Sequence, residues 1–260
     1  MLTLITLDFT DLGLAFGLIA IAIALSAWQK IGLEWQLAIA AVRTTIQLIF
    51  VGYILAVVFD PRAKNPWLVV AILAIMLTIA SIVASNRISK KIPQLRFLVW
   101  GAIFLSSALT LTYTNFIVIQ PQLWYEPQYL IPLAGIVIGN AMNGAALAGE
   151  RLVSIVNASQ LEIETHLSLG ATPQQAVAEY RKEAVKAGLI PTLNTMMVIG
   201  VVTLPGTISG QLLSGIKPID AAGYQILIMF MMALVNMATA LLVTHGLCRQ
   251  FFNRNDQFIG

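Results

Sequence analysis

Seven runs of apolar residues, each about the length a helix needs to cross a bilayer, set the rhythm of the chain. They cover roughly 12–28, 37–59, 66–85, 97–119, 130–149, 189–210 and 221–247. Within each run the apolar positions are continuous, whereas a membrane barrel would alternate apolar and polar residues over about ten positions. The pattern predicts an all-α fold, a polytopic transmembrane helical bundle of about seven spans. Counting Asp, Glu, Lys and Arg, only Arg43 carries a formal charge inside a run.

Composition points the same way, with 58% hydrophobic and 10% charged residues, where soluble domains carry about 25% charged. The first ten residues have no Lys or Arg and no small-residue cleavage pattern closes the first run, so 12–28 is expected to be kept as a helix. The net charge of +3 comes from basic residues scattered between the runs. That is a topology signal, unlike the gathered basic stripe of a nucleic-acid binder, and no nucleic-acid partner is expected. The single cysteine, Cys248, excludes an internal disulfide, and His166 and His245 are too far apart in sequence for a His-rich metal motif.

The basic residues separate into two sets. Lys30, Arg87, Lys90, Lys91, Arg96, Arg151, Arg181, Lys182, Lys186, Arg249 and Arg254 occupy one set of alternate connections; Arg62, Lys64 and Lys217 occupy the other. The positive-inside rule puts the richer set in the cytoplasm, hence the N-terminus outside and the C-terminus cytoplasmic. The connections are short apart from 150–188, so one membrane domain over 1–260 is expected, with 150–188 as a cytoplasmic loop within it.

That loop carries its own helix signals. Ser159-Gln-Leu-Glu162 fits a capping box, and Gly170 suits a left-handed helix end. Thr172-Pro173-Gln174-Gln175 then offers an N-cap, a proline at the first helical position and a glutamine three residues after the cap, with Ala176, Tyr180 and Ala184 on one face. Taken alone, two capped helices merely join two spans. However, Glu164, then Leu169, Gly170, Ala171, Thr172 and Pro173 with the glycine six residues after the glutamate, then Ala176 and a downstream Leu189-Ile190-Pro191, resemble the EAA loop of ABC-transporter permeases. Thr165 and His166 stand where that motif has two alanines. The resemblance implies a coupling helix that docks on an ATPase subunit.

Longer segments widen the resemblance. Ala41-Val-Arg-Thr-Thr-Ile-Gln-Leu48, Val51-Gly-Tyr53, Ile131-Pro-Leu-Ala-Gly-Ile-Val-Ile-Gly-Asn-Ala-Met-Asn143, Ile190-Pro-Thr-Leu-Asn-Thr-Met-Met197 and Leu204-Pro-Gly206 look like the FetB (YbbM-like) permease family. This similarity covers nearly the whole chain. It implies a multi-pass plasma-membrane (inner-membrane) permease that forms a homodimer in membrane lipid and works with a separate ATPase of the FetA type. In bacteria the family is linked to iron export, in plants to aluminium tolerance. ATP would be used by the partner, because the chain has no Gly-x-x-x-x-Gly-Lys-Ser/Thr phosphate loop; no cofactor is expected in this chain, and it is not expected to be an enzyme.

Several residues are candidates for a pathway or for helix packing. Arg43 and Gln47 lie one turn apart in the second run, where a buried charge costs at least about 2.5 kcal/mol. A polar pathway lining and an interhelical clamp stand as equal readings. Asn140 and Asn143 share a face with Gly135, Gly139 and Gly144 nearby, and packing is the preferred reading. Asn194, Met196 and Met197, followed by the helix-breaking Pro205-Gly206, offer amide and thioether groups to a passing metal. No permanent metal site is predicted, and the cargo, metal ion or other small solute, is open. Glu150 and Arg151 are read as an interfacial ion pair. The competing functions are an importer permease and a gradient-driven secondary transporter.

Overall fold

The computed structural model describes residues 8–60, 65–89, 92, 94–253 and 258. Of the basic residues used for orientation, Arg62, Lys64, Lys90, Lys91 and Arg254 lie outside the described residues. The chain forms two compact units, Met1–Asn65 and Pro66–Gly260.

The first unit is a hairpin of α1 (Phe9–Trp28) and α2 (Glu34–Val58). Its turn is held by Ser26, whose hydroxyl donates to the Glu34 carboxylate at 2.9 Å and accepts the Leu33 N–H at 3.2 Å. Both helices are apolar on all sides and mostly exposed, the composition of helices whose solvent is lipid.

The second unit contains α3 (Pro66–Ile88), α4 (Leu95–Tyr113) ending in a π-helical segment Thr114–Ile119, and α5 (Pro127–Ala158). It continues with α6 (Gln160–Ser168), α7 (Pro173–Ala176), α8 (Ala178–Val198), α9 (Gly206–Leu213) and α10 (Pro218–Gln250). Helix α5 is its centre. Ala134, Ala141, Ala145, Ala146 and Ala148 are fully buried, and such small residues let neighbouring backbones approach where water supplies no hydrophobic drive.

Named contacts fix the helix directions. Met76 lies against Gly135 and Ile88 against Gly149, so α3 and α5 run parallel. Leu98 lies against Gly246, and the Ser106 and Thr239 hydroxyls hydrogen-bond at 2.6 Å, so α4 runs antiparallel to α10. Helix α8 also opposes α10, with Arg181 beside His245 and Asn236 donating to Thr192. These five spans alternate as the apolar runs predict.

Among the described residues six helices are long and apolar enough to cross a membrane. The run 189–210, expected as a single span, is not one helix. α8 stops at Val198, a turn with Gly200 at φ +81° follows, and α9 restarts at Gly206. The pieces nevertheless advance together along α10, from Arg181 beside His245 through Thr192 at Asn236 to Thr207 at Gln225. Twenty residues of α10 rise about 30 Å, the thickness of the hydrocarbon layer. The sixth run is therefore a discontinuous span.

Candidate functional site

The 150–188 segment is largely helical. Its first residues belong to α5, which runs on to Ala158, and its last to α8. Between them α6, a turn and α7 make a short knob. Gly170 closes α6 at φ +91°, a conformation that is costly for other residues. The Thr172 box forms as expected: the Gln175 N–H donates to the Thr172 hydroxyl at 3.3 Å and the Thr172 N–H to the Gln175 side chain at 2.9 Å. The box expected at Ser159 does not form. α5 ends one residue earlier, so Ser159 stays near helical backbone geometry (φ −112°, ψ 24°) and its hydroxyl turns to Tyr180 instead.

The knob is seated on the bundle. Ile163 is fully buried and joins Ala176, Val177, Ala184, Leu247 and Phe251 in the core, and the partly buried Tyr180 packs against it. Burial and then a hydrogen bond with Glu162 hold the Tyr180 phenol above its ordinary value, with the Ser159 bond acting in the opposite sense. Arg151 pairs with Glu183, not with Glu150, so the extension of α5 is tied to α8. Adjacent residues on a helix point apart, which is why the expected pair is absent. On the outer side Glu164, His166 and Leu169 are exposed, and Leu161 and Leu169 reach 80% and 81% exposure.

The pathway candidates are not gathered into one cavity. Arg43 and Gln47 do share a face of α2, in a shallow groove of about 480 Å³ with Trp35, Ile39 and Ile46, and both are exposed. Asn140 spends its amide on the Ile136 carbonyl one turn back, at 2.8 Å. Asn143 and Asn194 are exposed on α5 and α8, two helices that pack together. Met197 is exposed; Met196 and Pro205 line a pocket of about 380 Å³ with Gly200, Gln225, Met229 and Phe230 at the helix break. There the Gly200 N–H turns to the Thr203 carbonyl at 2.9 Å and the Val201 N–H to Val198 at 3.3 Å, so the Met196 and Met197 carbonyls lose their helical partners. Broken helices in transporters use such carbonyls for cations. Among the described residues no group of three or more His, Cys, Asp or Glu gathers to hold a metal.

Sequence reasoning missed the polar centre of the second unit. Asn236 of α10 is 3% exposed, donates to Thr192 and keeps a carbonyl oxygen with no partner. It fits only because Gly144 has no side chain: a Cβ there would lie 2.8 Å from Asn236 Oδ1. The available signal was a lone asparagine in the apolar run 221–247. Gln225, with Thr207 donating to it at 2.5 Å, was missed for the same reason.

A family model described as an uncharacterised protein family, UPF0014, matches residues 9–252. The UPF0014 membrane protein slr1647 of Synechocystis is 51% identical over 98% of both chains. The probable iron export permease protein FetB of Escherichia coli is 31% identical over 96% of this chain and 94% of its own. The protein ALUMINUM SENSITIVE 3 of Arabidopsis is 28% identical over 94% of this chain and 87% of its own. No solved structure matches. A bundle of apolar helices along which one family model and full-length relatives align is a multi-pass membrane protein, and this chain belongs to the UPF0014 membrane protein family.

Proposed function

We propose that the chain is the membrane-spanning permease subunit of an ABC transporter that exports iron or a related metal ion. Two copies form a homodimer, and ATP is hydrolysed by separate ATPase subunits of the FetA type. The observation that carries this reading is the α6–α7 knob. Its inner face is locked to the bundle by Ile163, while its outer face presents Leu161 and Leu169, about four-fifths exposed, beside Glu164 and His166. Exposed leucines on a rigid, capped knob outside the apolar runs are the chemistry of a docking surface. Such a knob passes a partner's movement into α5 and α8 instead of absorbing it. The cargo follows the similarity to the probable iron export permease protein FetB of Escherichia coli.

The homodimer has its own support. Asn143 and Asn194 are exposed on adjoining helices at membrane depth, where lipid offers an amide no partner, so a second copy or a water-filled path covers them. A gradient-driven transporter is the second reading, favoured by the discontinuous α8–α9 span.

ATP hydrolysis by the co-purified permease and ATPase pair in lipid, with and without iron, tests both. Wild type is compared with Leu169→Asp, which alters an exposed side chain and leaves the fold intact. Iron stimulation that the variant loses supports the coupled exporter. Iron movement by the permease alone, with no ATPase bound, would establish the gradient-driven reading.

A further inference from the structure

At the base of the knob, on the same membrane face, lies a cleft of about 350 Å³ between the start of α7, the first turn of α8 and the last turn of α10. Gln174, Arg181, His245, Arg249 and Phe252 are among its walls. Arg181 Nη1 faces His245 Nδ1 at 3.5 Å. The described residues lining the cleft include no carboxylate. The ion pairs among the described residues engage Arg151 and Lys182, leaving both cleft arginines without an acidic partner. Two arginines on the walls of one cleft without a counter-charge offer a site to an anion. Their planar forks match phosphate oxygens better than point charges do. Arg249 also sits in the last turn of α10, where a cation offsets the helix dipole, but that role leaves Arg181 unexplained.

The position narrows the ligand. His245 and Arg249 lie at the end of the apolar run 221–247, so the cleft opens at the depth of lipid headgroups. Basic pockets between helices at this depth accept phosphorylated headgroups. Phe252 and Val177 add apolar wall beside the charges.

We infer that the Gln174–Arg181–Arg249 cleft binds a phosphate anion, carried by an anionic lipid headgroup or free in solution, and braces the knob against α10. A bound phosphate bridges Arg181 of α8 and Arg249 of α10 and draws the start of α7 toward α10. This inference does not depend on the cargo or on an ATPase partner.

The test uses the full chain in nanodiscs and amide hydrogen exchange over residues 170–182 and 245–253. Three conditions are compared: phosphatidylcholine alone, phosphatidylcholine with phosphatidylglycerol, and phosphatidylcholine with inorganic phosphate in the buffer. Exchange should slow by up to about thirtyfold when the anion is present, as expected for two interfacial basic residues. Arg181→Gln/Arg249→Gln should abolish the slowing, while the same charge loss elsewhere, Arg87→Gln/Arg96→Gln, should keep it. Slowing with phosphatidylglycerol alone identifies a headgroup site; slowing with inorganic phosphate as well identifies a free-anion site. Should the double variant misfold, Arg249→Gln alone, on an exposed side chain, carries the test. No slowing in either anion condition, or equal loss in both double variants, overturns the inference.

Discussion

Between Ala184 and Thr192, helix α8 is buried at every turn: Ala184, Gly188, Leu189 and Thr192 face α5 and α10. From Leu193 to the start of α9 most side chains are exposed, the backbone breaks, and two carbonyls lose their partners. One continuous stretch of chain thus joins a close-packed lever to an open end. The lever connects the knob to the bundle; the open end is where polar backbone becomes available at membrane depth. Rigidity and access are separated along one element, which lets movement at one end change exposure at the other.

The largest expected effect breaks the packed half. A Cβ on Gly188 would lie 3.0 Å from Ala148 Cβ and 3.1 Å from the Gly144 carbonyl. Gly188→Leu should therefore cost about 3 kcal/mol, the upper range for overpacking, whereas Gly210→Leu in α9, with nothing within 4 Å, should change stability by under about 0.5 kcal/mol. Thermal unfolding in detergent measures both. Equal destabilisation by the two would erase the distinction between the halves.

The next effect lies in the polar contact that pins the lever. Thr192→Val leaves the Asn236 amide without a partner beside an oxygen that already lacks one, a loss of about 1–3 kcal/mol. In an Asn236→Ala background the same change should cost little, because the group it satisfied is gone. A double-mutant cycle with no coupling would remove this contact from the account of the packed half.

How much of this was legible follows from the range of the forces involved. The apolar runs and the Thr172–Gln175 box are written in neighbouring residues; six of the seven runs formed as single helices, and the box formed as the sequence suggested. Gly170 at φ +91° likewise follows from local backbone chemistry. The break of α8 was signalled by Pro205 and Gly206, yet the helix stops earlier, at Val198, because Gly200 already turns left-handed. Asn236 and Thr192 were not legible as a pair: they lie 44 positions apart and meet only when α8 settles into the space left by Gly144 and Gly188. Ser159 misled because a capping box needs an extended N-cap, and α5 delivers the chain there still close to helical.

A smaller effect concerns the knob that the lever carries. Gly170→Ala meets open space but must adopt the left-handed backbone, so about 1 kcal/mol of strain is expected. Thr172→Ala removes the cap for a loss of about 1 kcal/mol. Both should raise the protease sensitivity of the α6–α7 turn while leaving overall unfolding nearly unchanged. A global shift of the unfolding transition by either would mean that the knob and the bundle unfold as one unit.

The smallest effect is one of pH, at the contact between knob and lever. Burial and the Glu162 bond favour the neutral phenol of Tyr180, raising its value in the folded protein above the unfolded one. The stability it contributes is therefore complete below the ordinary phenol value of about 10 and is lost as pH rises through the raised value. Tyr180→Phe should flatten the alkaline side of the stability profile and leave neutral pH unchanged. In a phenolate absorbance titration of the folded protein, the group missing from Tyr180→Phe should be one that ionises later than a free tyrosine. If the missing group ionises at or below the ordinary value, Tyr180 is not held against the bundle as described, and the contact joining the α6 knob to α8 must rest on the buried Ile163 instead.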